Sequence, residues 1–400
     1  MFSYDELDAA FQTLGADGGL KNLINVLQAD PDHHAFFRAL LLQKRYELGL
    51  PLIAPGDLDE YPESARKDYE AFVETTCRET GLKYLNDKNI VQAWRYFRTL
   101  GEKAPIRKAL EALDPKDATD EELNIALDQG VHVRRGFEIA LQRDGLCRAI
   151  STFDAGFSTE ISDKKYAAGL LLHALYKDLV VAVCREIHNK FGETPPETDL
   201  VDLIRHRPWL FEDGRTHADP QHVASVSRIG LLAEGREELI MALSICEYGR
   251  MLAPQHRYSG RPPFEGGFDD WALYARALLG QNVETTIEHF RSKLSTYDSG
   301  IGTTPAEMVV LLLWRTGQKE EALSVWQHYL FEQAPEVPGE FIPSYYELCI
   351  QARQFQRLVD SAKVLGDTAA WAAARIMENT DAKPATVEKV AVKETLEGLS

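Results

Sequence analysis

Cysteine is scarce and scattered. Cys77, Cys147, Cys184, Cys246 and Cys349 form no CxxC pair, and an odd set so widely spaced is no disulfide framework. It is the pattern of reduced, mostly buried thiols in a cytosol. Alternation of apolar and polar residues with period two is almost missing, so no sheet is predicted. No run approaches about 18 uncharged apolar residues. Residues 167–183 come closest, and they contain His173, Lys177 and Asp178. The N-terminus, MFSYDELDAAF, lacks a basic stretch followed by an apolar one, so no secretory signal is predicted. Gly-x-Ser-x-Gly is absent. Gly300-x-Gly302 has no preceding strand and no following Gly-Lys-Ser/Thr, and reads as a helix approach. Positive charge is short as well: a formal charge of −18 argues against general binding to nucleic acid or anionic membrane. Together these absences imply a cytoplasmic protein with no nucleic-acid partner and no membrane insertion.

What is present is helical. Apolar residues make up 44% of 400 positions, enough for two to three cores or one extended array. The clearest stretch runs over residues 304–335. Thr304 reads as an N-cap, Pro305 as the first helical residue and Glu307 as its capping-box partner. Val309, Leu312, Leu313 and Thr316 share one face, and Gly317 ends the helix. Ala322, Leu323, Val325, Trp326 and Tyr329 restart the periodicity, with Trp326 and Tyr329 filling the space beyond small Ala322, and Pro335 closes it. Elsewhere Ser3 and Thr119 read as N-caps, each with a Glu three residues on. Gly18 and Gly19 read as a break in the first helix, and residues 163–191 as the longest helix.

Certain offsets recur. Gly81, Tyr84, Ala93, Phe97, Leu100 and Pro105 match Gly230, Ala233, Ala242, Cys246, Gly249 and Pro254 in spacing. Val310, Leu313, Ala322, Trp326 and Tyr329 repeat the first five offsets. A small residue lets two helices approach, and a larger one four residues later plugs the adjacent groove. In these residues the chain resembles the tetratricopeptide repeat, a helical hairpin of about 34 residues. The copies are not in tandem, so the expected architecture is all-α: an irregular α-solenoid of antiparallel helical hairpins in two lobes. Residues 1–158 form an N-terminal lobe with one repeat-like hairpin near 74–105. Residues 159–379 form a C-terminal repeat lobe, and 380–400 a disordered charged tail. The resemblance implies a protein–protein interaction scaffold or regulator, with a peptide or partner protein held on the array.

Two loops are the places for a site. RHRPWLFEDGRTHADPQH, residues 205–222, carries His206, His217 and His222 near Asp213 and Asp219. His217-x-Asp219-x-x-His222 offers two imidazoles and a carboxylate to a divalent metal. Against this, Asp219 reads as an N-cap with Pro220 first in the helix, which needs no ligand, and Trp209 and Phe211 read as loop anchors. QHRYSGRPPFEGGFDDW, residues 255–271, carries Arg257 and Arg261 among Tyr258, Phe264 and Phe268. Cations beside aromatics can grip an acidic or proline-rich peptide, with Trp209 and Arg215 of the first loop beside them. The plainer reading is a lid whose aromatics cover an open edge. His173 reads as a core histidine, and His33-His34 as facing water. No catalytic residue and no cofactor is predicted. The rival readings are an enzyme or metalloprotein with its site between the 205–222 and 255–268 loops, and a sensor of a small acidic ligand or short peptide.

Overall fold

The computed structural model describes residues 3–29, 31–53, 62–297, 299–330 and 335–380. Among the described residues it is all-α, with short 3-10 turns and no strand. The tail read as disordered lies, from residue 381 onward, outside the described residues. The chain divides into two compact units between Ser158 and Thr159.

The first unit contains α1 (Tyr4–Gln28), α2 (His33–Glu47), α3 (Glu63–Asn86), α4 (Ile90–Thr99), α5 (Ala104–Ala112), α6 (Asp120–Ala126), α7 (Val133–Asp144) and α8 (Leu146–Asp154). Thr119 and Glu122 close a reciprocal capping box on α6. The break in α1 falls at Gly15 (φ 71°, ψ −173°), not at Gly18 and Gly19. Gly19 is helical, and the Phe11 ring lies against it: a Cβ there would stand 2.3 Å from Phe11 Cδ1. His33 and His34 do not simply face water. His33 Nε2 lies 2.6 Å from Asp87, and His34 Nδ1 2.7 Å from the Tyr96 hydroxyl, tying α2 to α3 and α4.

The α3–α4 seam is the small-against-large contact that the spacing predicts. Phe97 is fully buried, and a Cβ on Gly81 would stand 2.7 Å from its Cε2. Gly81→Ala therefore overpacks the seam. Overpacking costs about 2 kcal/mol and outweighs the roughly 1 kcal/mol that Ala gains over Gly in a helix. The expected net loss of about 1 kcal/mol is read from the urea unfolding midpoint.

The second unit contains α9 (Ile161–Phe191), α10 (Leu200–Arg205), α11 (Pro220–Gly230), α12 (Arg236–Met251), α13 (Phe268–Leu278), α14 (Val283–Leu294), α15 (Thr304–Arg315), α16 (Lys319–Tyr329), α17 (Tyr345–Gln351), α18 (Phe355–Leu365) and α19 (Thr368–Thr380). By length and composition α9 is apolar enough to cross a membrane. In the fold its Leu171, Leu172, Leu175, Leu179 and Val183 are buried, and the helix packs on α10, α11 and α12. Gly230 of α11 meets Leu172 of α9, where a Cβ would stand 2.6 Å from Cδ2.

From α11 onward each helix lies against the next. Gln318, at the N-cap of α16, donates to Glu284 in the first turn of α14, and Gln354, at the N-cap of α18, donates to Glu320 in the first turn of α16. Both bonds span 34 residues. Arg315 reaches back from α15 to the Leu231 and Ala233 carbonyls at 2.8 and 2.5 Å, fastening α15 to the end of α11. The start of α15 differs from its predicted capping. Thr303 is the N-cap and its side chain bonds no backbone N–H of the helix. Glu307 is 1% exposed and accepts from the Thr303 hydroxyl and the Phe341 N–H. Trp326 is buried and stacks on Tyr345 at 4.6 Å, whereas Tyr329 stands 41% exposed.

Candidate functional site

The end of α9 and the chain around α10 form an open cleft of about 370 Å³ lined by Ile187, Phe191, Pro195, Pro196, His206, Arg207 and Trp209. Gly192 takes a left-handed conformation (φ 77°) and turns the chain out of α9. Asp199 then caps α10 and accepts the Tyr176 hydroxyl at 3.1 Å, which holds the proline wall against α9. Arg207 straps the other side, donating to Glu197 at 3.0 and 3.2 Å and to the Leu203 carbonyl at 2.8 Å. Trp209 meets Phe191 edge-on at 5.7 Å, and Lys190 Nζ stands 3.8 Å from the Trp209 ring centroid. An aromatic floor beside prolines and a cation accepts an apolar or proline side chain with a polar group next to it.

The two loops read from the sequence do meet. A Cβ on Gly214 would stand 3.0 Å from Gln255 Nε2 and 3.7 Å from His256 Nε2. Phe211 is buried there, 5.2 Å from Tyr248. The Tyr248 hydroxyl accepts the His217 backbone N–H at 2.8 Å and lies 3.0 Å from Nδ1 of the same residue. The His217 side chain is 2% exposed, and its Nε2 lies 3.6 Å from Glu186 without a hydrogen-bond partner among the described residues. Burial pushes the imidazole pKa down, Glu186 opposes this and Arg215 adds to it. Arg215 itself donates to Glu186 at 3.0 Å.

Among the described residues no three His, Cys, Asp or Glu side chains gather so as to hold a metal ion. The metal set His206, His217 and His222 is thereby corrected. His206 lines the cleft, His217 is committed to Tyr248, and His222 sits in the first turn of α11, behind the cap that Asp219 makes with the Gln221 N–H at 2.8 Å. The peptide-gripping set is corrected in part. Phe264 is buried between Tyr274 and Phe290 at 5.4 and 5.3 Å, and Phe268 packs on Trp271. Arg257 donates to the Leu252 carbonyl at 2.7 Å. Arg257, Tyr258 and Arg261 are exposed, and Trp209 is half-buried in the cleft.

Sequence reading missed what holds the second loop. Asp270, 8% exposed, takes His289 Nε2 at 2.9 Å on one oxygen, and the Gly266 N–H and Lys293 Nζ, each at 2.8 Å, on the other. Lys293 also donates to the Pro263 carbonyl at 2.6 Å and to Glu265, whose other oxygen accepts the Tyr297 hydroxyl. Each Asp270 oxygen is thus bonded, and the cluster fixes a loop rather than presenting an acid or base. Its one local signal was the spacing of His289 and Lys293, four apart on α14. Neither a family model, nor a curated protein, nor a solved structure matches the chain.

Proposed function

We propose that the chain is a protein–protein interaction scaffold of the helical-repeat type, its second unit an irregular α-solenoid of antiparallel hairpins that resembles tetratricopeptide arrays. The observation that carries this reading is the repeated bond from each N-cap Gln to a first-turn Glu 34 residues earlier, Gln318 to Glu284 and Gln354 to Glu320. Equal spacing of equivalent contacts is what stacked hairpin repeats produce. The cleft at Trp209 is where such a scaffold would take a short peptide, since it is open and sets aromatic and proline side chains beside His206 and Arg207. The same reading takes the chain as cytoplasmic, with neither nucleic acid nor membrane as partner. Its charge of −18 and the buried thiols Cys77, Cys246 and Cys349 support that.

A displayed peptide library selected on the full chain tests it. Enriched peptides are expected to bind by fluorescence polarisation, and Trp209→Ala is expected to weaken them at least about tenfold, or 1.4 kcal/mol, with the circular dichroism spectrum unchanged. Selection without enrichment overturns the scaffold reading. Peptides that bind Trp209→Ala as tightly as the parent overturn the cleft.

A further inference from the structure

Residues 335–343 read PEVPGEFIP. Three prolines and a glycine in nine positions keep such a stretch out of a helix, because proline supplies no N–H and fixes φ. Among helices on both sides, this segment runs irregular, through turns and bends. Its outer residues Glu336, Val337, Pro338 and Glu340 are exposed, while Ile342 is 1% exposed and Phe341 is half-buried.

The segment is held as a bound peptide is held, by its main chain, by buried Pro335 at its start and by two adjacent side chains near its end. The Phe341 N–H donates to Glu307 of α15 at 3.0 Å. The Glu340 carbonyl accepts Lys164 Nζ of α9 at 2.9 Å, and the same ammonium lies 5.5 Å from the Phe341 ring centroid. Gly339 fits because nothing larger does: a Cβ there would stand 2.7 Å from Glu307 Oε2. A hydrogen bond from the Gly339 N–H to the Ile342 carbonyl at 3.0 Å sets the turn that presents both anchors. The receiving surface is unusual in its own right. Residues 305–313 of α15 are all buried, nine in succession, whereas a helix in a paired array buries a stripe and leaves the rest wet. In its first turn, Glu307 meets this segment at Phe341 and Gly339.

We propose that Lys164 of α9 and the first turn of α15 form a peptide-binding surface that the chain occupies with its own residues 335–343. The partner it fits is a peptide of the same chemistry that can take the same turn: proline and acidic residues, then glycine, an acidic residue, an aromatic and an aliphatic in sequence. The tethered copy competes with that partner, because a segment joined to its own site acts at millimolar effective concentration. Access is therefore regulated by release of the segment. This rests on the scaffold reading for its biological sense, though not for its geometry.

The test uses the full chain and a fluorescent peptide of residues 335–344. Phe341→Ala combined with Ile342→Ala weakens the tethered copy and leaves Lys164 and Glu307 in place. This variant is expected to bind the labelled peptide at least about tenfold more tightly than the parent. Adding Lys164→Glu is expected to abolish the gain. A folded variant that takes no peptide, or binds it equally with Lys164→Glu, overturns the proposal. Should the variant not fold, hydrogen exchange on the parent chain decides. An exchangeable segment releases the Phe341 amide far faster than those of Val309 and Leu312. Equal protection makes the segment part of the core and overturns the proposal. Library selection and Trp209→Ala can fail while these measurements succeed, and the reverse, so the two readings fall separately.

Discussion

Asp270→Ala is expected to lower the unfolding free energy by about 3 kcal/mol, the cost of breaking a buried charge pair from one side. The carboxylate is 8% exposed and serves Lys293, His289 and the Gly266 N–H at once. Without it Lys293 keeps the Pro263 carbonyl and Glu265, so the loop loses its inner tie and retains an outer one. The Gly266 amide should then exchange faster with solvent while the amides of α15 do not. Acid separates this from a loss of packing. Burial alone would raise the Asp270 carboxyl; the hydrogen bonds from Lys293, Gly266 and His289 outweigh it and hold the pKa below the usual carboxylate range. A depressed pKa contributes stability that is present above about pH 4 and lost as pH falls through the folded value. The gap between parent and Asp270→Ala should therefore be full at pH 7 and close progressively below about pH 4. Urea unfolding at pH 7, 5 and 3 measures it. A gap that stays constant across that range would assign the cost to packing.

What was legible in the sequence was local. A cap needs only neighbours, so Thr119 with Glu122, and Asp219 before Pro220, could be read from spacing. A glycine that ends a helix is local too, as at Gly317 (φ 88°). The seam between Gly81 and Phe97 was legible because two helices joined by a short turn must meet. What failed was set by distance along the chain. Asp270 and Lys293 stand 23 residues apart, and Arg315 binds carbonyls 84 and 82 residues away. Nothing in either local stretch marks the pair. Glu307 shows how a local rule loses to a tertiary partner. Its spacing from Thr304 fits a capping box, yet the Phe341 N–H, 34 residues on, holds its carboxyl instead. Phe264 was read with Arg257 and Arg261 as a grip on a peptide, with an aromatic lid as the plainer reading, and it is buried against Tyr274 and Phe290, which stand far from it in sequence or on the next helix. The candidate cleft was half legible. Trp209 and His206 stood out by type, but the wall made by Phe191, Pro195 and Pro196 depends on Tyr176 holding Asp199.

Glu307→Ala and Glu307→Gln are expected to part in opposite directions. Ala removes the acceptor of the Phe341 N–H and the Thr303 hydroxyl in a fully buried position, and should cost about 2–3 kcal/mol. Gln keeps an acceptor for Phe341 and can donate to Thr303, without a charge. Burial pushes the Glu307 pKa up, and the bonds from Phe341 and Thr303 only partly oppose it. A raised folded pKa means that the fold binds the proton more tightly than the unfolded chain does. The stability linked to that proton is full below about pH 4.3, and it is lost as pH rises through the folded value. At pH 7, well above the unfolded value, the parent has therefore given up stability that Gln, which has no proton to lose, keeps. Glu307→Gln should match or exceed the parent in urea midpoint at pH 7 and lose that advantage at pH 4. If Gln were as costly as Ala at both values, the carboxylate itself would be required, and the Phe341 N–H would need a charged acceptor to keep residues 335–343 on α15.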